Sequence, residues 1–183
     1  MTRLRLSVLL AITLLMVSCA TPPKDAMSFS MAALPPPSPD YAVLVVYRQI
    51  VFPVAYKSTI SVNGQEAVEM PNEGFTWIKV KPGYVLVKND WSFAAGNPSG
   101  AYDLDVAAGQ YYYFEITGNT YNPPLQVVED LHIAAGLVTY HSSVEGRGFV
   151  LRDAAVAIRE LTTCCRHVPV EDDYVPGKDN ANP

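Results

Sequence analysis

The sequence predicts a mainly β chain, folded as a single antiparallel β-sandwich-like domain with one C-terminal helix. Three observations carry that expectation. Between residues 41 and 117 short apolar or alternating runs recur roughly every ten residues. Turn dipeptides separate them, Asn63-Gly64 and Pro82-Gly83 foremost. One stretch near the C-terminus, RDAAVAIRELTTCCR, places its apolar residues at helical spacing. Evenly spaced short strands with turn signals between them suit a sandwich or small barrel.

The N-terminus reads as an address. A basic start, Arg3 and Arg5, precedes an almost unbroken apolar run from Leu6 to Met16, the layout of a secretory signal. A helix needs about 20 apolar residues to span a bilayer, so this run is too short to remain there. Residues 1–18 are expected to be a lipoprotein signal peptide, an ordinary signal cut after Ser18 or Ala20 being the alternative. The order Met16-Val17-Ser18-Cys19 resembles the lipobox of bacterial lipoproteins. That resemblance implies a diacylglyceryl group on the Cys19 thiol, which becomes the new N-terminus. One acyl chain anchors only marginally at about 0.8 kcal/mol per buried methylene, so the multiple chains of such a cysteine are what hold a domain durably. With Ala20 rather than Asp after the cysteine, resemblance further implies the outer membrane of a two-membraned cell, the domain facing the periplasm.

Residues 19–40 follow as lipidated cysteine and Pro-rich tether. With six prolines in 20–40, the segment is expected to be partly extended and to reach about 70 Å at full stretch. The domain is expected over 41–168. YAVLVVYR (41–48) is nearly continuous apolar, suiting a strand buried on both faces. KSTISV alternates and meets Asn63-Gly64, a type I′ hairpin signal because both central residues need positive φ. FTWIKV alternates, and Pro82-Gly83 predicts a type II turn into YVLVKN. YDLDV sets Tyr102, Leu104 and Val106 against Asp103 and Asp105, and QYYYFEIT follows. Beyond 124 the pattern weakens, with LVTYHSSV and GFVL as possible strands. In the helix, Asp153 is placed to cap and Ala154, Ala157, Ile158, Leu161 and Cys165 share a stripe. Residues 169–183, acidic and turn-rich, are expected to be disordered.

At this point the order VLVVYR … ISVNG … EGFTWIKVKPGY … YDLDVAAGQYYYFEIT resembles an uncharacterised family of bacterial lipoproteins, domain of unknown function 2846. The matching positions are Tyr47-Arg48, Asn63-Gly64, Gly74-Phe75, Pro82-Gly83 and Gly109 with Tyr111-Tyr112, over about residues 41–117. Where the family carries a glycine soon after Asn-Gly, this chain reads QEAVEM. The resemblance implies a β-sandwich lipoprotein, with neither an activity nor catalytic residues.

Composition narrows the function classes. The whole chain has a formal net charge of −5; without Arg3 and Arg5 it carries 11 basic against 18 acidic residues, or −7. Nucleic-acid binding rests on neutralising phosphates, so no nucleic-acid partner is expected. Docking on anionic lipid by charge is disfavoured too. The remaining thiols, Cys164 and Cys165, are adjacent. Helical neighbours point about 100° apart, so a bond between them would demand a strained backbone. Two buried thiols are expected, with an intermolecular disulfide as the alternative.

Searches for reaction chemistry return little. His132, His141 and His167 stand in no ligand motif, and neither HExxH nor Cys-x-x-Cys occurs, so no metal or cofactor is expected. DLDVAAG begins like a calcium loop, but the twelfth position from Asp103 is Phe114 where a bidentate Glu is required. GNPSG places Ser99 outside the context of a nucleophile elbow, and EGRGFV opens no helix that would cradle phosphate. Arg48 is expected to pair with a carboxylate at the sheet edge or to snorkel, contact with a ligand being the alternative. Tyr111, Tyr112 and Tyr113, with Trp77, Trp91 and Tyr102, offer an aromatic binding surface as the sharper reading and core packing as the plainer one.

The expectation is therefore a lipid-anchored envelope protein, not an enzyme, acting as a binding module on the periplasmic side with another envelope protein as partner. A carrier of a lipid or glycan is the alternative, and a hydrolase acting on envelope material the less favoured third. The one assigned site residue is Cys19, for lipidation; catalytic and metal residues are none.

Overall fold

The structure, a computed structural model, describes residues 21–92, 95, 99–117 and 149–170, and the backbone of 174–175. Its strands are β1 (Ala42–Arg48), β2 (Ser58–Val62), β3 (Gln65–Met70), β4 (Gly74–Val80), β5 (Gly83–Trp91), β6 (Gly100–Val106), β7 (Tyr111–Ile116), β8 (Phe149–Arg152), β9 (Arg166–His167) and β10 (Tyr174–Val175). An α-helix, α1 (Ala154–Cys164), lies between β8 and β9. The first sheet has the order β10-β4-β1-β7-β8, with β9 also on β4; the second is β3-β2-β5-β6. The expected mainly β sandwich with one C-terminal helix is what the chain forms. Three pairings of the first sheet are parallel rather than antiparallel, β1–β7, β4–β9 and β4–β10, and β1–β7 requires a crossover. Here the crossover comprises β4 and the entire second sheet.

Strand β1 shows why the two layers pack. Ala42, Leu44 and Val46 point between the sheets, joining Ile60, Val87, Leu104 and Phe114. Val43, Val45 and Tyr47 point the other way, into a second cluster with Phe75, Tyr113, Ala157 and Leu161. Burying a side chain of this size contributes about 1.5–3 kcal/mol, and β1 does so on both faces. The second sheet buries one face only: Lys88, Asp90 and Asp105 on its outer side are exposed, as the alternation of YDLDV predicts. The hairpin at Asn63-Gly64 has φ of 52° and 83°, the signs a type I′ turn needs. Where the chain reads QEAVEM, the β2–β3 register shifts between Ile60 and Ser61.

Three expectations are corrected. The tether does not extend to residue 40. From Ala26 onward the chain lies on the first sheet: Ser28 bridges Arg166, the Phe29 N–H donates to Cys165 O, and the His167 N–H to Met27 O. Phe29 and Leu34 are buried, Phe29 meeting Phe75 edge-on at 5.3 Å. The reason is area. A helix about 10–12 Å wide cannot cover a five-strand face with strands about 4.8 Å apart, and Phe29 and Leu34 complete the cover. The tail is not wholly disordered either, since Tyr174–Val175 pair with Lys79–Val80. Finally, Cys164 and Cys165 are disulfide-bonded to each other. The helix ends at Cys164, and Cys165, its C-cap, is extended at φ −116° and ψ 146°. The two are thus not helical neighbours, and the argument from helical spacing does not apply to them. Asp153 caps the other end of α1, accepting from the Ala155 N–H at 2.8 Å.

Candidate functional site

Arg48 is the last residue of β1 and shares the inward side with Ala42, Leu44 and Val46. Its side chain therefore enters the mouth of the inter-sheet core, where it is 0% exposed. The expected carboxylate partner is not what it meets. Nη1 donates to Tyr56 O at 2.7 Å and Met70 O at 3.2 Å. Nη2 donates to Val51 O at 3.2 Å and Pro53 O at 3.1 Å. The guanidinium carbon stands 4.6 Å over the Trp91 ring, a cation–π contact. Burial lowers this group to about 10, so it remains cationic at neutral pH. A planar fork of donors suits converging carbonyls in a way a lysine does not.

Three of those four carbonyls belong to the loop 49–57, which joins the two sheets. Asn72 supplies further ties: its Oδ1 accepts from the Val51 N–H and its Nδ2 donates to Val54 O, both at 3.0 Å. Asn72 is positioned by the tight β3–β4 corner, where a Cβ on Gly74 would lie 2.9 Å from the Met70 sulfur. With the backbone drawn inward, the even-numbered side chains face out. Ile50 is 65% exposed, Phe52 78%, Val54 51% and Tyr56 38%. Four neighbouring large apolar side chains outside the core are uncommon unless they contact something.

A second polar cluster lies beside it, on the helix side of the first sheet. The Tyr47 hydroxyl donates to Glu160 Oε2 at 2.5 Å. Glu115, opposite Tyr47 in the sheet, pairs with Arg152 through Oε2 and accepts from Gln49 at Oε1 over 3.1 Å. Burial, then the Glu160 hydrogen bond, pushes the Tyr47 phenol up, so it stays a donor. Burial also raises the Glu115 carboxyl, against the lowering influence of Arg152. Both oxygens of Glu115 are engaged, and the cluster ties α1 to β1, β7 and β8.

The other residues singled out by type and spacing scatter, and Cys19, His132 and His141 lie outside the described residues. His167 stacks on Trp77 at 4.0 Å. The aromatic residues point to separate places. Tyr111 donates to Pro35 O at 2.7 Å beneath the N-terminal segment, Tyr102 packs on Phe114 at 5.7 Å, and Trp91 lies under Arg48. Asp103 accepts from Tyr84 at 3.4 Å. The feature that sequence reasoning missed is the loop QIVFPVAYK (49–57). The signal was present: an apolar run where a connection between strands ordinarily carries polar turn residues.

Among the described residues no three His, Cys, Asp or Glu side chains converge as metal ligands, and no helix is long and apolar enough to cross a membrane. Comparison with protein-family models and with curated proteins finds no match.

Proposed function

We propose that this chain is a lipid-anchored protein of the bacterial envelope, held through Cys19 and facing the periplasm, that works by binding rather than catalysis. Its contact surface is the loop 49–57. The observation that carries this reading is a fully buried arginine whose hydrogen bonds hold a loop in place while four apolar side chains of that loop face outward. Such an arrangement is a preorganised surface, because the ordering entropy of the loop is met on folding rather than on contact.

The test is a photo-crosslinking amino acid placed at Phe52 and, separately, at Lys88 on the exposed face of the second sheet, in intact cells. Adducts from position 52 and none from position 88 are expected. The reverse pattern would move the contact surface elsewhere, and release of soluble fragments from envelope material by the purified protein would replace binding with hydrolysis. Radiolabelled palmitate entering the protein but not its Cys19→Ser form checks the anchor independently.

A further inference from the structure

We propose that the occupant of this surface is the bilayer itself: the loop 49–57 rests in the headgroup and acyl boundary beside the anchor, orienting the domain with its Arg48 end toward the membrane. The proposal rests on the lipid-anchor reading of Cys19.

The first argument is position. Tyr47 lies opposite Phe75, Phe75 opposite His167, and the His167 N–H donates to Met27 O. Met27 is therefore level with Tyr47, three residues short of Ile50, or about 10 Å along the strand direction. Sideways it is three strand spacings away, about 15 Å. Upstream of Ala26 only seven residues remain to Cys19, a reach of at most about 25 Å. A lipid on Cys19 thus holds this end of the domain near the membrane, and the Asn63-Gly64 end lies a strand length further off.

The second argument is chemistry. A backbone entering an apolar medium must have its polar groups satisfied from within. In this loop the carbonyls of Val51, Pro53 and Tyr56 are bonded by Arg48. The Val54 carbonyl and the Val51 N–H are bonded by Asn72. Pro53 has no N–H to satisfy. The loop contains no acidic residue and ends on Lys57, in a chain that is otherwise acidic. Ile, Phe and Val suit the acyl boundary and Tyr the headgroup level. Because the anchor keeps the loop at high local concentration, weak partitioning of a few side chains is sufficient to fix the orientation.

The experiment uses the full chain, processed and purified from cells, reconstituted into phosphatidylcholine vesicles with and without brominated acyl chains. Phe52→Trp and Lys88→Trp forms are compared by tryptophan emission after subtraction of the parental signal, and the Cys19 peptide is weighed by mass spectrometry. The expected result is an acylated Cys19, emission at 52 shifted to shorter wavelength and mostly lost with brominated lipid, and emission at 88 unchanged. An acylated chain whose emission at 52 is unquenched overturns the loop proposal and leaves the anchor standing. If that unquenched emission is also blue-shifted, protein covers the loop, whether from the same chain or a second copy. A Cys19 peptide without acyl mass overturns the anchor, and the proposal with it.

Discussion

The two ends of the sandwich turn the chain by opposite means. At one end the turns are pinned by bonds to the backbone of a neighbouring strand. Asn63 exchanges hydrogen bonds with Leu86, its N–H donating to the carbonyl at 2.8 Å and its Oδ1 accepting from the N–H at 2.9 Å. Gly109, at φ 75°, donates to Tyr41 O. At the other end the loop 49–57 is held by side chains reaching in from elsewhere, Arg48 from β1 and Asn72 from the β3–β4 corner. The first kind of turn is closed by bonds between neighbouring strands. The second draws polar atoms in and frees apolar side chains to face out.

That contrast is broken most severely at Arg48. Arg48→Met removes the donors to four buried or half-buried carbonyls, and a loss of about 3–5 kcal/mol is expected in denaturant unfolding. Arg48→Lys, which keeps the charge without the fork, is expected to recover less than half of it. Glu115→Ala removes the buried carboxylate that Arg152 and Gln49 share, and the partial exposure of Arg152 lessens the penalty; about 2–3 kcal/mol is expected. Glu115 also sets a pH dependence. Its carboxyl is raised above 4.5 by burial, so the folded state holds that proton more tightly than the unfolded chain does. Its contribution is fully present below 4.5 and is lost as pH rises through the raised value. Thermal unfolding of the parental chain and of Glu115→Gln across this range is expected to show a decline with pH in the former that the latter lacks.

At the opposite end, Gly64→Ala tests local geometry alone, because a Cβ there meets nothing within 4 Å while φ is +83°. A loss of about 1 kcal/mol is expected. The smallest effect sharpens the comparison. Phe52→Ser, at a side chain 78% exposed, is expected to change unfolding free energy by no more than about 0.5 kcal/mol while reducing contact through the loop. A large destabilisation would mean that Phe52 belongs to the core.

Legibility in the sequence followed the same divide. Asn63-Gly64, the two-faced β1, the alternation of β6 and the Asp153 cap were readable because each is a local pattern with one backbone solution. The parallel β1–β7 pairing was not, because the two strands are far apart in the chain and nothing in either run encodes direction. Arg48 reads as an edge residue because a cation after an apolar strand ordinarily reaches water or a carboxylate. Carbonyls 3 to 22 positions away leave no mark in composition. The Pro-rich segment misled for a related reason: Phe29 and Leu34 look like isolated apolar residues until a sheet face left uncovered by α1 gives them a place.

The cover of that face also has a history. It is assembled from the two extremities of the chain, with Arg166 donating to Ala26 O across 140 positions and Tyr47 reaching Glu160 across 113. A polypeptide emerging N-terminus first presents Phe29, Val43, Val45 and Tyr47 well before α1 exists to receive them. Closure of this layer awaits nearly the whole chain, and contacts of such long separation form slowly. During that interval an apolar sheet face stands open to association with other chains. Folding of this protein therefore ends at that face, which stays open until the C-terminal helix arrives.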